Sequence, residues 1–377
     1  MRLNPVDGIV YILMRLVKKF FDGRLSGIEH FDQTLVKRIL VVSSTALGDT
    51  LLSTPAIAAL RKRYPDAKIM ALIHRNYMEL FTTNPHIDEF LPFHGGYKRF
   101  MATVVHLRKF SPDTAFILHG NEPQATPLAY MSGARFIFKI PVPSQYGFLL
   151  SNKSNGFDDS PWLHHATAVR LKTASFADCR EDDFKMVLPV NPRDSGVVRG
   201  RLSDLGFQGR HILIGFQPGA ALSYKMWRQE NFTALGKKLT ELSSDIRIVI
   251  TGSKGEKKLC AKIAEDIGEK AVALCGELPL KCLGALIKEL DVLVTNDTGT
   301  MHVAIAVGTK TVSLFCPSNH WGVGRAYDFH LHKIIYKEKP CNPCVTKNCK
   351  HPHCMEQIAV VEVFAAVEEL LRENSNI

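Results

Sequence analysis

Short, nearly unbroken apolar runs recur along the 377-residue chain, each followed by a small-residue loop and a stretch with helical spacing. In the first half the runs fall at residues 38–43 (RILVVS), 68–73, 89–93, 114–118 and 134–138, with a helix over 50–62 and further helical patterns between them. In the second half they fall at 211–216 (HILIGF), 246–250, 271–274, 292–295 and 311–315, with helices over 230–242, 256–267, 280–289 and 300–307 and a last one over 359–371. Strands that are apolar throughout belong to sheets covered on both faces, and strands alternating with helices make parallel sheets. The pattern predicts an α/β protein of two doubly wound, Rossmann-like domains, residues 35–190 and 205–340, facing each other across a cleft. Residues 1–34 form an extension and 341–377 a tail. Residues 189–209, rich in Pro, Gly, Asp and Arg, are the expected linker.

The extension carries its own pattern. At 100° per residue Ile9, Ile12, Leu13, Leu16, Val17 and Phe20 share one face, and Arg15, Lys18, Lys19 and Asp22 share the other. Arg15 interrupts the apolar stretch and no small-residue cleavage site follows, which argues against a signal peptide. An amphipathic helix with a basic polar face suits a membrane surface. A helix docked on the protein needs one apolar face just as much, and the pattern leaves both readings open.

Composition narrows the class. The length suits two domains of about 150 residues each. Hydrophobic residues at 46% against charged residues at 22% describe a folded chain rather than a disordered one. No apolar run reaches the roughly 18–20 residues that cross a bilayer. A net charge of +10 favours anionic partners. With no dense Lys/Arg tract and no nucleic-acid-binding signature, nucleic acid is not the expected one. Of nine cysteines, Cys179, Cys260, Cys275, Cys282 and Cys316 are scattered and read as small buried residues. An odd count without a cleavable signal points to a reducing cytoplasm.

In open α/β sheets ligands bind beyond the carboxyl ends of the strands, so the loops there carry the candidate chemistry. The first is Ser43-Ser44-Thr45-Ala46-Leu47-Gly48-Asp49-Thr50. Asp49 would stand at the cleft edge as a general base, or would simply cap the helix. The second is Gln217-Pro218-Gly219-Ala220 followed by Ser223, Lys225, Trp227 and Arg228, a turn whose hydroxyl and ammonium groups suit phosphate oxygens. It reads equally as a surface loop with a solvated Lys. The third, Thr251-Gly252-Ser253-Lys254-Gly255-Glu256, offers two glycines and a carboxylate for a ribose, without the spacing of an established nucleotide motif. The fourth, Asn296-Asp297-Thr298-Gly299-Thr300-Met301-His302, follows an apolar strand and opens a helix. Its backbone N–H groups at Thr298, Gly299 and Thr300 make an anion site, with His302 one turn in.

These four motifs in this order resemble glycosyltransferase family 9, whose best-known members are the lipopolysaccharide heptosyltransferases. The resemblance runs over about residues 37–320. It implies a GT-B fold, an inverting reaction, no required metal cofactor and an ADP-heptose-like donor. It implies Asp49 as catalytic base and Lys225 as phosphate ligand, with Ser223 nearby and Gly252, Ser253 and Glu256 at the donor ribose. It further implies Asp297, Thr298, Gly299, Thr300 and His302 as donor-binding residues. The reading implies a nucleotide-sugar donor and a lipid-linked glycan acceptor at the inner face of the cytoplasmic membrane, and the amphipathic N-terminal helix adds an anionic membrane surface as an expected partner. The alternatives are another donor sugar for another polysaccharide, a nucleotide-sugar epimerase of related fold, or a non-catalytic glycan- or nucleotide-binding protein.

The chain departs from the family in its tail. Cys341, Cys344, Cys349 and Cys354, with His351 and His353 among them, can satisfy a tetrahedral structural zinc, though the spacing is not the usual paired one. Free thiols and a disulfide are the alternatives. Lys333, Lys337, Lys339, Lys347 and Lys350 around this cluster meet one acid, Glu338, and form an expected basic patch toward membrane phosphates or the acceptor.

Overall fold

A computed structural model of the chain describes residues 5–20, 24–140, 144–153, 165–207, 209, 211–316, 320–341, 344, 349 and 351–372. By its internal contacts the chain divides into two compact units, Met1–Val187 and Leu188–Ile377.

The first unit opens with helix α1 (Pro5–Phe20). Its sheet comprises β1 (Arg38–Ser43), β2 (Lys68–His74), β3 (Glu89–Phe93), β4 (Thr114–His119) and β5 (Phe136–Lys139), all parallel, in the order β3-β2-β1-β4-β5. Its further helices are α2 (Leu47–Arg63), α3 (Phe100–Phe110), α4 (Ala125–Met131) and α5 (Ala166–Ser175). Side chains alternate across a strand. Leu40 and Val42 of β1 therefore join one core cluster with Val104 and Leu107 of α3 and Leu128 of α4. Ile39 and Val41, equally buried, point to the opposite face, where α2 and α5 pack on each other and against β1 and β4. Both faces are covered, which is why the strands read as apolar runs.

The second unit repeats the scheme with β6 (Ile212–Gln217), β7 (Ile246–Ile250), β8 (Ala271–Ala273), β9 (Val292–Asn296), β10 (Lys310–Phe315) and β11 (His332–Tyr336). They are parallel in the order β11-β10-β9-β6-β7-β8. Its helices are α6 (Pro192–Asp204), α7 (Gln229–Leu242), α8 (Lys257–Ile267), α9 (Leu283–Lys288), α10 (Gly299–Val307), α11 (His320–Val323), α12 (His353–Glu356) and α13 (Val360–Arg372). Trp227 anchors its core: the ring is buried, meets Phe232 edge-on at 5.1 Å, and donates Nε1–H to the Ile358 carbonyl at 2.9 Å.

Several expectations change. The stretch expected as a linker is largely helix α6: Asn191 caps it through Arg193 N at 2.9 Å, Pro192 sits in the first turn, and Val198 and Leu202 turn inward. Proline is at home there because its missing N–H is not needed. Strand β11, an edge strand of only five residues, was not expected. Cys260 and Cys275, read as small buried residues, are buried and are in addition joined as a disulfide. Their segments are brought together because β7 and β8 are neighbours and α8 packs on both.

The basic patch also changes. Lys333 pairs with Glu369 at 2.6 Å and Lys337 with Glu362 at 2.5 Å. The neutralising acids come from α13, which the local count of charges did not reach. Lys347 and Lys350 lie outside the described residues. Among the described residues no helix is long and apolar enough to cross a membrane.

Replacing Trp227 with Ala removes a buried indole and strands the Ile358 carbonyl. The expected cost is about 3–5 kcal/mol, read as a drop of several degrees in the thermal midpoint. An unchanged melt would mean that the core does not depend on this anchor.

Candidate active site

In the sheet of the first unit the strand order reverses beside β1, between β1 and β4, which is where open α/β sheets place their ligands. The register shifts between Val42 and Ser43, so that Ser43 stands opposite His119. Ser44 N donates to the His119 carbonyl at 3.0 Å.

Helix α2 starts directly beyond. Its N-cap is Ala46, with no side-chain cap bond, and Asp49 lies inside the first turn. The capping alternative for Asp49 is therefore set aside. Its carboxylate points elsewhere: Oδ2 accepts from Thr45 Oγ1 at 2.9 Å and Oδ1 accepts from Arg170 Nη2 at 3.1 Å. His119 Nε2 stands 3.5 Å from Oδ1, and His119 Nδ1 is 2.6 Å from Thr45 Oγ1. Arg170, from α5, is only 2% exposed, and its Nε also donates to Ser53 Oγ at 3.0 Å. Asp49 keeps 28% of its side-chain surface open.

Burial lowers the Arg170 guanidinium to about 10, and the adjacent Asp49 charge works against that drop. His119 is held down to about 4, first by desolvation and then by the Arg170 charge, with Asp49 again opposing. The imidazole is thus neutral at ordinary pH although its side chain is 40% exposed. With one proton shared along the line, a Thr45 hydroxyl that donates to Asp49 receives the Nδ1–H of His119 and leaves Nε2 as an acceptor.

The second unit also reverses strand order, between β6 and β9. Gln217 closes β6 and gathers two neighbours: its Oε1 accepts from Thr251 Oγ1 at 2.9 Å and from Thr300 Oγ1 at 3.3 Å. Asn296 closes β9, donating Nδ2–H to the Pro218 carbonyl at 2.8 Å and accepting from Trp227 N at 3.0 Å. The two strand ends thereby hold the loop from 218 to 227. Within it Lys225 pairs with Asp297 at 2.5 Å.

Helix α10 begins at Gly299 after the N-cap Thr298, whose hydroxyl makes no cap bond and has no hydrogen-bond partner. Glu256 and Ser253 form a capping box at the short turn before α8, with Ser253 N donating to Glu256 Oε2 at 2.6 Å. Glu256 also lies against Gly219, where a Cβ would collide with its carboxylate. Gly252 is hemmed in by both disulfide sulfurs and Glu256, each 3.0 Å from where its Cβ would be.

The expected donor residues therefore separate into groups. Lys225 and Asp297 are joined, as are Ser253, Glu256 and Gly219, and Gln217 ties Thr300 to Thr251. Ser223 is exposed at the start of its 3₁₀ turn, and His302 is buried at 5% exposure. Of the four tail cysteines, Cys354 lies beside Cys316, whose thiol is pushed up by burial first and then by Cys354 and Cys344. Cys341 is exposed and Cys354 is packed in the core, and no metal-binding group of three or more His, Cys, Asp or Glu exists among the described residues. A cavity of about 820 Å³ beside Arg61, Lys62 and Arg180 in the first unit touches none of Asp49, His119 or Arg170.

Arg170 and His119 were missed as site residues, and Gln217 stood in the second motif without the organising role it has. Arg170 is 121 positions from Asp49 and lies in no motif. His119, at the carboxyl end of β4, carried the one usable signal, its position directly after a strand.

Comparison with known proteins gives a consistent picture. Residues 152–355 match the model described as glycosyltransferase family 9 (heptosyltransferase). The chain is 25% identical over 347 residues to lipooligosaccharide heptosyltransferase 2 of Campylobacter jejuni, covering 89% of this chain and 99% of that protein. Among solved structures, a family 9 glycosyl transferase from Veillonella parvula matches with a TM-score of 0.76 at 24% identity, over 89% of this chain and 97% of its own. The ADP-heptose lps heptosyltransferase II of E. coli matches with a TM-score of 0.73 at 23% identity, over 90% and 100%.

In a proton-detected histidine titration His119 is expected to change charge near pH 4, and Arg170→Met should move that step upward. Because the unfolded chain takes up the same proton near its ordinary value of about 6.5, stability falls as pH drops from about 6.5 toward 4. A His119 step near 6.5 that ignores Arg170→Met would remove the electrostatic account of this cluster.

Proposed function

The chain belongs to glycosyltransferase family 9 and has the GT-B fold of its structural neighbours. From that membership we propose that it moves a heptose from ADP-heptose to a lipopolysaccharide-type glycan acceptor, by inversion and without a metal. The observation that carries the reading is the Asp49 carboxylate. It does not cap its helix, is oriented from both sides by Thr45 and Arg170, and is still open to an acceptor hydroxyl.

A carboxylate accepts about four hydrogen bonds, and Asp49 spends two on the protein. In the proposed step a remaining lone pair takes the proton of the acceptor hydroxyl as that oxygen attacks the anomeric carbon. The bond from that carbon to the diphosphate breaks on the opposite face, and the diphosphate leaves with the electron pair.

The leaving group is held by the second unit. Lys225 has three N–H donors and gives one to Asp297, which leaves two for phosphate oxygens. The backbone N–H groups opening α10, which no side chain caps, serve the same purpose in this reading. Fixed donors of this kind do the work a divalent cation does elsewhere. Glu256 has carboxylate capacity beyond its bond to Ser253 and serves the donor ribose.

The test substitutes Asp49 with Asn, not only with Ala. Truncation to Ala would remove both the charge and the acceptor that face the buried guanidinium, which costs about 3–5 kcal/mol and confuses folding with chemistry, whereas Asn keeps an acceptor there. With ADP-heptose and a lipopolysaccharide precursor, Asp49→Asn should abolish transfer while ADP binding by calorimetry stays within a few-fold of wild type. Lys225→Ala should lower the rate by about 10²–10³ and weaken ADP binding. Full transfer by Asp49→Asn would sink the base assignment. Wild type that binds a different nucleotide sugar and ignores ADP-heptose would keep the enzyme class and change the donor.

A further inference from the structure

We propose that the outward side of α1 is a docking surface for an anionic lipid interface, while the opposite side of the same helix fastens it to the first unit. The proposal stands on the helix itself and holds whichever sugar the enzyme moves.

Helix α1 is apolar on two sides. On one, Met14 is 3% exposed and Val10, Tyr11 and Val17 pack with it on the core cluster that includes Leu40, Val42 and Leu107. That side is reinforced by polar and ring contacts. Tyr97 donates to Asp7 at 3.0 Å, Lys18 donates to the Phe148 carbonyl at 2.5 Å, and Arg15 lies 4.6 Å over the Phe148 ring. On the other side Ile9, Ile12, Leu13, Leu16 and Phe20 are exposed at 65%, 61%, 53%, 49% and 76%. At 3.6 residues per turn these five fall within an arc of about 100° and a length of about 16 Å. Single exposed apolar side chains are ordinary, but a continuous stripe of five marks an interaction surface.

The surroundings say what covers it. Lys19 flanks the stripe and is itself exposed. Helix α3 shares the core with α1, and Tyr97 just before it bonds Asp7 of α1; α3 exposes Met101 at 62% and Val105 at 63%. Residues 97–110 hold Lys98, Arg99, Arg108 and Lys109 and no acid. Apolar side chains rimmed by one sign of charge match an interface of acyl chains below anionic headgroups. A second copy of the chain laid on the same stripe would bring those like-charged rims together, which disfavours it.

The experiment is co-sedimentation of the full chain with phosphatidylcholine vesicles in which about a third of the lipid is phosphatidylglycerol, against pure phosphatidylcholine and against raised salt. Wild type should bind the mixed vesicles and bind less in both comparisons. Leu13→Asp/Leu16→Asp should lose more than about tenfold in partitioning, with the melting midpoint and ADP binding kept. Val197→Asp, at an exposed position of α6 in the second unit, should bind like wild type. Ile9→Ser, a milder change, should give an intermediate loss if the double variant proves unstable.

Wild type that ignores the mixed vesicles, or a folded double variant that binds them as well as wild type, would overturn the proposal. So would a wild-type dimer that the double variant dissolves without any lipid binding, which would assign the stripe to a second copy. ADP binding is read separately, so loss of lipid binding and loss of enzyme function are distinguishable.

Discussion

A guanidinium buried to 2% exposure is tolerable only where its charge and donors are answered, and at Arg170 the answer is Asp49 and Ser53. The rest of the first unit's site hangs on that pair. Ser53 reaches Arg170 because it sits one turn beyond Asp49 and bonds back to the Asp49 carbonyl at 2.8 Å. Ser53 also meets Ser43, at the end of β1, at 3.0 Å. Helix α2 is thereby keyed to the strand in front of it and to α5 beside it. The Asp49 carboxylate cannot rotate away without stranding a buried cation, so its fixed direction and the stability of the unit are one property. His119 is poised by the same charge, since Arg170 helps keep its imidazole neutral.

The second unit orders its loops by a different device. Two amides at strand ends gather the three loops that follow β6, β7 and β9: Gln217 through the Thr251 and Thr300 hydroxyls, and Asn296 through the Pro218 carbonyl and the Trp227 N–H. Close approach does the rest. Gly219 admits the Glu256 carboxylate against the backbone, and Gly252 admits two sulfurs; any Cβ would push these loops apart. Thr298, Gly299 and Thr300 are then left with donor capacity because nothing in the turn caps them.

Much of this was legible in the sequence, for a physical reason. Strands buried on both faces cannot afford polar residues, so β1, β3 and β7 coincide with their expected runs and the other expected strands differ by a residue or two at their ends. The motifs were legible because loops after strands must contain Gly, small hydroxyls and caps. The missing parts were long-range. Arg170 belongs to a helix whose local pattern gives no reason for a charge; only α2, packed against it in three dimensions, supplies one. Helix α6 was hidden by its Pro and Gly content, though Asn191-Pro192 is a good helix start. The lysines near the tail looked unanswered because their acids lie on α13.

The N-terminal helix shows where a one-dimensional pattern stops being decisive. Plotted as a wheel, α1 offers one broad apolar face, and docking and membrane binding draw on the same evidence. In three dimensions the face is divided. Val17 turns inward with Val10 and Met14, while Ile9, Ile12, Leu13, Leu16 and Phe20 do not. Helix α1 does not need those five side chains to hold its place, because Met14, the Tyr11 ring contacts at 5.7–5.8 Å and the Asp7–Tyr97 bond already do so. Each outward side chain left in water forgoes its burial, about 1.5–3 kcal/mol for a large aliphatic or aromatic group. A stripe that contributes nothing to folding and opposes solubility is physically sensible only as a surface for something else.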